Sequence, residues 1–258
     1  MKKVSIVTVT YDKDIEFLKY NLKSVDKFCK SYHNNKVVID DHDNDCEQCR
    51  EYMESIGQQY IVNTQAKHIR VGYVRQQFMG YYMDQYFDDG TEYICCVDTD
   101  NIFTAPHSPD VHFIDGLPIQ GKARWEDLPE RGRFWIESTT NILKFRPDHE
   151  FMRRMPFVYP VWLFKEVREY LEDVHNDTLV NIFKDIPVSA EYNIWGGYAY
   201  KYHRDKFYWV DEYDDMKLWR DLGEKIPCTQ YSNRAEAQPH RYVDLSQPGN
   251  VISSLFEK

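Results

Sequence analysis

The stretch from Tyr93 to Asp100 places two carboxylates directly after a strand-like run. Residues 93–97 are of types that suit a buried strand, and Asp98 and Asp100 follow on either side of Thr99. Because strand side chains alternate between two faces, both carboxylates are expected to point the same way. Paired oxygen donors at this spacing suit Mg²⁺ or Mn²⁺ that also touches a diphosphate. A solvated acidic turn at the end of a strand is the simpler explanation of the same residues.

The first hundred residues must position these carboxylates, and they alternate between strand-like and helix-like patterns. Strands are predicted at 4–9, 37–39, 60–62 and 93–97, and helices at 15–28, 46–56 and 72–87. This alternation predicts an α/β fold with a doubly wound, mostly parallel sheet and helices on both faces. Ligands in such sheets bind at the carboxyl ends of the strands. No glycine-rich phosphate-binding motif follows any of these strands, which disfavours a dinucleotide-dependent oxidoreductase and a P-loop NTPase.

The second half of the chain is richer in loops. Residues 134–145 are predicted to form one or two strands, and residues 155–160 an extended segment before a helix at 162–175. Ser189 is expected to cap a helix that begins near Glu191, as Asp45 is expected to cap the helix at 46–56. We expect a single domain over 1–258, with a nucleotide-sugar-binding half at 1–104 and an acceptor half with the C-terminal tail at 105–258.

Composition and charge limit the class of protein. Apolar residues make up 42% and charged residues 29%, as in a globular protein, and no run is long and apolar enough for a membrane span. Cys95 and Cys96 are expected in the core, and Cys46 and Cys49 form a lone C-x-x-C that supports zinc only weakly. These features, with no signal peptide, predict a cytoplasmic protein, in the host cytoplasm if it is phage-encoded.

The net charge of −10 disfavours non-specific attraction to nucleic acid or to anionic membranes. Charge is unevenly distributed, because residues 122–154 hold eight Lys/Arg and six Asp/Glu, a local balance of +2. Two explanations of this window stand. It could form a basic rim for a phosphate-bearing acceptor, or it could be a mixed, solvated surface.

In their order along the chain, four motifs resemble the GT-A fold of nucleotide-sugar glycosyltransferases. This resemblance covers most of the chain. It implies that the end of the first strand, with Thr8, Thr10 and Tyr11, receives the base and ribose of the donor, and that Asp40 and Asp41 after the second strand meet uracil or ribose.

The resemblance further implies that the helix with Arg75 and Gln76 reaches the donor, and that the D-x-D motif Asp98-Thr99-Asp100 holds a metal ion.

The resemblance also implies a metal ion and its ligands. Asp100 is the expected direct ligand of Mn²⁺ or Mg²⁺, while Asp98 holds ribose or a metal-bound water. A third ligand in such enzymes is often a C-terminal histidine, and His240 is the first choice here, with His203 second. For either histidine alone, a surface residue is the simpler explanation.

Glu191 and Asp98 are the predicted catalytic residues. An inverting transferase needs a general base beside the acceptor hydroxyl, and Glu191 is the candidate; a retaining one needs a carboxylate or an amide beside the anomeric carbon. Glu191 is equally explained as an acid that complements the dipole of its helix. The aromatic residues Trp195, Tyr198, Tyr200 and Tyr202 after it are expected in the core, with a stacking wall for a sugar or a base as the alternative.

The leading hypothesis is therefore a metal-dependent glycosyltransferase that moves a sugar from a nucleotide sugar, most plausibly a UDP-sugar, to an acceptor hydroxyl. The acceptor is a hydroxymethylated pyrimidine in tailed-phage DNA, or a saccharide or glycolipid in surface-glycan synthesis. A nucleotidyltransferase is the second class, although the loop after the first strand lacks its Gly-rich, basic sequence. A non-catalytic sugar- or nucleotide-binding module is the third, and it would tolerate replacement of Asp98 and Asp100 by asparagine.

Overall fold

The computed structural model describes residues 2–41, 46–130, 133–153, 156–231, 250, 252 and 255–256. Its strands are β1 (Val4–Thr10), β2 (Asn35–Asp40), β3 (Tyr60–Asn63), β4 (Tyr93–Asp98), β5 (Asn101–Phe103), β6 (Phe113–Ile114), β7 (Leu117–Arg124), β8 (His149–Glu150), β9 (Phe157–Pro160), β10 (Tyr208–Asp211) and β11 (Cys228–Gln230). Its helices are α1 (Ile15–Phe28), α2 (Glu47–Ile56), α3 (Gly72–Gly80), α4 (Ile136–Leu143), α5 (Val161–His175), α6 (Leu179–Phe183), α7 (Glu191–Tyr202) and α8 (Met216–Lys225). Within these ranges, no helix has both the length and the apolar character needed to cross a membrane.

The central sheet has five strands in the order β3-β2-β1-β4-β9. The first four run parallel, and β9 adds to the edge of β4 in the antiparallel direction. Every residue of β1 is buried, because β1 lies in the middle of the sheet and carries β-branched side chains on both faces. The predicted α/β fold with a mostly parallel sheet is confirmed.

Helices cover both faces of this sheet, because successive side chains of each strand point in opposite directions. Ile6 and Cys95 belong to the apolar cluster on the side of α1, which contributes Val25. Val7 belongs to the cluster on the other side, where Phe78 of α3 packs with residues of α5 and α7. The doubly wound arrangement therefore follows from the apolar side chains that β1 and β4 carry on both of their faces.

The register of the sheet determines which loops meet at its carboxyl edge. Val9 of β1 lies opposite Asp98 of β4, and Thr10 lies opposite Ile39 of β2. The loop after Thr10 and the D-x-D motif therefore adjoin one another.

Two smaller sheets accompany the central one. Strand β7 pairs with β6, β8 and β10, while β11 pairs antiparallel with β5, so that Gln230 lies opposite Asn101. The pairing of β11 with β5 brings a C-terminal segment beside Asp100, and the backbone N–H of Tyr231 donates a hydrogen bond of 2.9 Å to the Asp100 carbonyl. The acidic motif is thereby held between β4 and a segment about 130 residues later in the chain.

The prediction of strands at 134–145 was wrong, because this segment contains α4. Its Thr and Ile residues suggested strands, but Thr139, Ile142 and Leu143 are buried on one side of the helix, and α4 packs against α7. Strand preference depends strongly on the packing around a residue, and here the helical partner decides. Lys144 ends the helix in the left-handed region at φ 56°.

The predicted helix at 72–87 is shorter in the structure, since α3 ends at Gly80 and a separate 3₁₀ turn covers Met83–Gln85. Gly80 lies against the indole of Trp195, and a β-carbon there would come within 2.8 Å of that ring. Close packing of α3 on α7 therefore requires glycine at this position. The helix predicted at 162–175 is confirmed as α5, whereas sequence periodicity did not reveal α8 or β11.

The cysteines are free thiols, and Cys95 and Cys96 are fully buried in β4 as predicted. Cys46 and Cys49 are buried at the start of α2. Among all described residues, no group of three or more His, Cys, Asp or Glu side chains lies close enough together to hold a metal ion. Asp45, the predicted cap of α2, lies outside the described residues. The carboxylate of Asp12 instead accepts hydrogen bonds from the backbone N–H groups of Gln48 and Cys49 in the first turn of α2.

Candidate active site

A cavity of about 280 Å³ opens at the carboxyl ends of β1 and β4. Parallel strands present their ligand sites at this edge, so its position agrees with the expectation from the alternating pattern. The wall contains four carboxylates and no Lys or Arg among the described residues. The residues that line it are Tyr11, Asp14, Phe17, Tyr73, Gln76, Gln77, Asp98, Thr99, Asp100, Met152, Glu191, Tyr192 and Gln230.

The D-x-D motif is held in place through the residues beside its carboxylates. Thr99 is buried, and its hydroxyl donates a hydrogen bond of 2.8 Å to the carbonyl of Val9. The side-chain amide of Asn21 in α1 donates to the Asn101 carbonyl at 2.7 Å, and the amide of Gln230 donates to the Asp100 carboxylate at 3.3 Å. With Thr99 turned inward, Asp98 and Asp100 both face the cavity.

Burial raises the pKa of Asp98 above its usual range, and the negative charge of Asp14 raises it further. The pKa of Asp100 is likewise raised by burial and then by the charge of Asp98. A carboxylate that is desolvated beside other carboxylates holds its proton more tightly, because ionisation places like charges together in a medium of low dielectric constant. A cation at this position would relieve that repulsion.

Glu191 is the first residue of α7 and forms another part of the wall. Burial, followed by the charge of Asp98, raises the pKa of Glu191 to about 8. The next residue, Tyr192, stacks on Phe157 of β9 with ring centroids 4.2 Å apart, which fixes the start of the helix against the sheet. The prediction that Ser189 caps this helix was wrong, because Ala190 occupies the N-cap position and no side chain caps the helix.

Close packing farther along α7 also determines where Glu191 lies. A β-carbon on Gly196 would lie 2.4 Å from the side chain of Phe151. Phe151 is itself held by a hydrogen bond of 2.7 Å from its backbone N–H to the side chain of Asn193. The glycine lets α7 approach the segment that follows β8, and Met152 of this segment lines the cavity.

The aromatic residues after Glu191 lie mainly in the core. Trp195 and Tyr198 are buried, and Trp195 packs edge-on against Tyr81 and Tyr159 at centroid distances of 5.7 and 5.5 Å. They do not line the cavity. The expectation of core rings is therefore confirmed for Trp195 and Tyr198, whereas Tyr200 is half-buried and the expectation was wrong for Tyr202, which is 46% exposed and also lies outside the cavity wall.

Five of the predicted site residues line the cavity together, namely Tyr11, Gln76, Asp98, Asp100 and Glu191. Others lie outside its wall. Thr8 and Thr10 are buried within β1, and Asp40 is buried at the end of β2, where its carboxylate accepts a hydrogen bond of 2.6 Å from the Arg75 guanidinium.

The ion pair of Asp40 and Arg75 joins β2 to α3, and Arg75 directly precedes Gln76 on this helix. Arg75 also donates to the carbonyl of Ile69, so the guanidinium is held inside the protein. Asp41 lies apart from this pair, at a second cavity beside α2 with Cys46 and Arg50.

His240 and His203 were the candidates for a third metal ligand. His240 lies outside the described residues. His203 lies at the end of α7, 2.7 Å from the carboxylate of Glu166 and against the ring of Trp162, and it is not part of the cavity wall.

Asp14, Tyr73, Gln77 and Gln230 also line the cavity, and none of them was predicted from the sequence. Asp14 lies in the loop that follows β1, and loops at strand ends were already expected to carry the site, so this position could have been identified. Tyr73 and Gln77 share a helix with the predicted Gln76. Gln230 could not have been identified, because only the pairing of β11 with β5 brings it to Asp100.

The fold can be compared with solved structures. Among them is the galactosyltransferase LgtC, in complex with donor and acceptor sugar analogs, which superposes with a TM-score of 0.57 over 98% of this chain and 94% of that one. This chain has the LgtC fold. The two sequences are 14% identical, so the likeness concerns the fold, and the predicted GT-A type fold is confirmed. No protein-family model matches the chain, and no curated protein matches it either.

Proposed function

We propose that this protein is a metal-dependent glycosyltransferase that takes its sugar from a nucleotide sugar, most simply a UDP-sugar. One observation carries the proposal: Asp98, Asp100 and Glu191 face a single cavity at the carboxyl edge of a sheet whose fold is shared with a galactosyltransferase. A nucleotide sugar needs a site that stabilises the departing diphosphate and a group that handles the acceptor proton. The cavity offers side chains for both tasks.

The donor set fits Mn²⁺ or Mg²⁺. Asp98 and Asp100 are carboxylates with raised pKa values, and hard divalent cations prefer oxygen ligands and commonly take the rest from phosphate and water. Asp100 would be the direct ligand, Asp98 would contact the ion or the ribose, and His240 is the proposed third protein ligand. When bound, the ion supplies charge neutralisation at the diphosphate.

For the reaction, we infer that Glu191 receives the proton of the acceptor hydroxyl. The acceptor oxygen bonds to the anomeric carbon, the bond from that carbon to the diphosphate oxygen breaks, and the nucleoside diphosphate leaves. A raised pKa of about 8 suits a group that exchanges a proton near neutral pH. This role requires an inverted product, which NMR of the anomeric proton would identify; a retained configuration would make Glu191 the carboxylate beside the anomeric carbon.

For the donor, Tyr11 and Gln76 are proposed to contact the nucleotide, because both line the cavity. The ion pair between Asp40 and Arg75 is proposed to position Gln76, because Arg75 is the preceding residue on α3. Thr8 and Thr10 are buried within β1 and Asp41 lies at the second cavity, so their contacts to base or ribose stay predictions from the sequence.

The acceptor is proposed to be a saccharide hydroxyl, with a hydroxymethylated pyrimidine in DNA as the alternative. The net charge opposes this alternative, and the basic window at 122–154 gives it mild support. Within the described part of that window, several cations are already engaged: Lys122 with Asp211, Arg124 with Asp214, and Arg153 with Glu150 and Glu212. Phosphate recognition depends on available cations, so this pairing favours the uncharged acceptor.

A turnover assay tests the proposed reaction. UDP release from a panel of UDP-sugars is measured after EDTA treatment and again with added Mn²⁺, for wild type, Asp98→Asn and Asp100→Asn. We expect release only with metal, and a fall of about 100-fold or more in either variant, as for the loss of one charge-stabilising group. Asp26→Asn is the matched control, because Asp26 lies exposed on α1. Wild-type turnover by Asp100→Asn would refute the role of the motif, and release of a sugar 1-phosphate in place of UDP would indicate nucleotidyl transfer.

A further inference from the structure

Three aromatic side chains form a rim that continues outward from the candidate active site. Tyr73, in the first turn of α3, lines the cavity, and its ring stacks on Trp135, just before α4, with centroids 6.0 Å apart and planes 29° apart. Phe134 meets Trp135 edge-on at 5.0 Å. We call Tyr73, Phe134 and Trp135 the aromatic rim.

The rim is anchored on one side and exposed on the other. Trp135 packs against the apolar cluster of Trp125 and Leu128. Tyr73 is 46% exposed and Phe134 is 62% exposed. Exposed aromatic rings that adjoin a cavity with reactive carboxylates are typical of ligand contacts, since leaving such rings in water gains nothing for the fold.

The charges around the rim indicate what kind of ligand it takes. The adjoining wall holds Asp14, Asp98, Asp100 and Glu191, and no described Lys or Arg lines it. Arg133 stands next to Phe134 in the sequence, but its guanidinium donates hydrogen bonds to the carbonyls of Leu128 and Glu126 at 3.1 and 2.7 Å. A polyanion therefore finds little there to neutralise its phosphates, whereas an uncharged ligand meets no repulsion.

We propose that the aromatic rim is the binding subsite for the acceptor, and that this acceptor is a saccharide. The inference rests on the proposed function. A sugar ring presents a face of C–H groups, which packs against the negative face of an aromatic ring, and its hydroxyl groups can reach the polar wall. Contact with Tyr73 and Trp135 would hold the sugar at the mouth of the cavity that Glu191 also lines, so that a hydroxyl of the sugar could enter it.

The test measures acceptor and donor separately. Lactose, maltose, cellobiose and a DNA duplex containing 5-hydroxymethylcytosine are offered with a radiolabelled UDP-sugar and Mn²⁺. Trp135→Ala, Trp135→Phe and Phe134→Ala are compared with Tyr202→Ala, a control at a ring that is 46% exposed elsewhere on the molecule. Melting curves establish that each variant is folded.

We expect transfer to at least one disaccharide, with the acceptor KM raised about tenfold in Trp135→Ala and partly restored in Trp135→Phe, while the donor KM changes by less than about twofold. An unchanged acceptor KM in Trp135→Ala and Phe134→Ala would overturn the subsite. The proposal that the acceptor is a saccharide would be overturned by transfer to the DNA duplex alone. It would also be overturned if UDP release continued without transfer to any of the disaccharides. A wild type that neither releases UDP nor binds the donor would instead refute the proposed function, and the subsite with it.

Discussion

Replacing Glu191 by glutamine should stabilise the metal-free protein, and the gain should increase with pH. The pKa of Glu191 rises from an ordinary value of 4.5 to about 8, because the carboxyl is buried and lies near Asp98. Between these values the folded state keeps a proton that the unfolded state has lost, so raising the pH disfavours folding. The stability is fully present below the unfolded pKa and is lost as the pH rises toward 8.

The size of the effect follows from the shift. Each pKa unit corresponds to about 1.4 kcal/mol, so the shift of Glu191 to about 8 corresponds to about 5 kcal/mol in full, of which about 3 kcal/mol is lost by pH 7. Glutamine cannot ionise. The free energy of unfolding of Glu191→Gln minus that of wild type should therefore grow by about 1.4 kcal/mol per pH unit between pH 5 and 7.

The difference between variant and wild type is the quantity to measure, because a buried histidine pair acts in the opposite direction. His107 and His112 are joined through their Nε2 atoms at 2.9 Å. Burial lowers the pKa of His107 to about 4, and burial together with His107 lowers the pKa of His112 to about 3. Their contribution to stability is therefore lost as the pH falls below about 6.5. It cancels when Glu191→Gln is compared with wild type.

The assay is urea unfolding followed by tryptophan fluorescence at pH 5, 6, 7 and 8 in EDTA. Glu169→Gln, at an exposed position on α5 with a partner in Lys165, is the matched control and should leave the pH dependence unchanged. A difference between Glu191→Gln and wild type that stays constant across the pH range would refute the reasoning, because the carboxyl would then not be buried beside other acids.

Three further outcomes are expected. His112→Gln should lessen the loss of stability between pH 6.5 and 4 in the same urea assay, and an unchanged loss would count against the buried histidine pair. Gly196→Ala should lower stability by about 1–3 kcal/mol, because its new β-carbon overlaps Phe151, whereas a neutral effect would mean that α7 can shift freely. Arg75→Met should cost about 3–5 kcal/mol, because it leaves the buried Asp40 without its cation; Asp40→Asn in the same chain should recover part of this loss.

Much of the sheet could be predicted from local patterns. Strand β1 is rich in β-branched residues, and β4 is a continuous apolar run. Because helices lie between the strands of this part of the chain, a parallel sheet could be predicted. The D-x-D motif lies at a strand end, where the fold exposes it. The prediction of strands at 134–145 was wrong because the Thr and Ile residues of α4 favour strands locally, whereas its packing against α7 favours a helix.

The site was predicted where its residues lie in the motifs and missed where distant segments converge. Gln230 reaches Asp100 only through the pairing of β11 with β5, and Met152 enters the wall only because α7 packs closely on the chain after β8. Arg75 was expected to face the donor. In the structure its charge is paired with Asp40, an arrangement that no local pattern indicates.

The most direct test of the central claim is a thermal melting series with UDP-sugars, with and without Mn²⁺, on wild type and Asp100→Asn. A ligand at about 100 times its dissociation constant adds about 2.7 kcal/mol, which raises the melting temperature by a few degrees. We predict a shift in wild type that requires both the nucleotide sugar and the metal and that disappears in Asp100→Asn. A shift of the same size in Asp100→Asn, or none with any nucleotide sugar in wild type, would contradict the assignment of this cavity as a donor site.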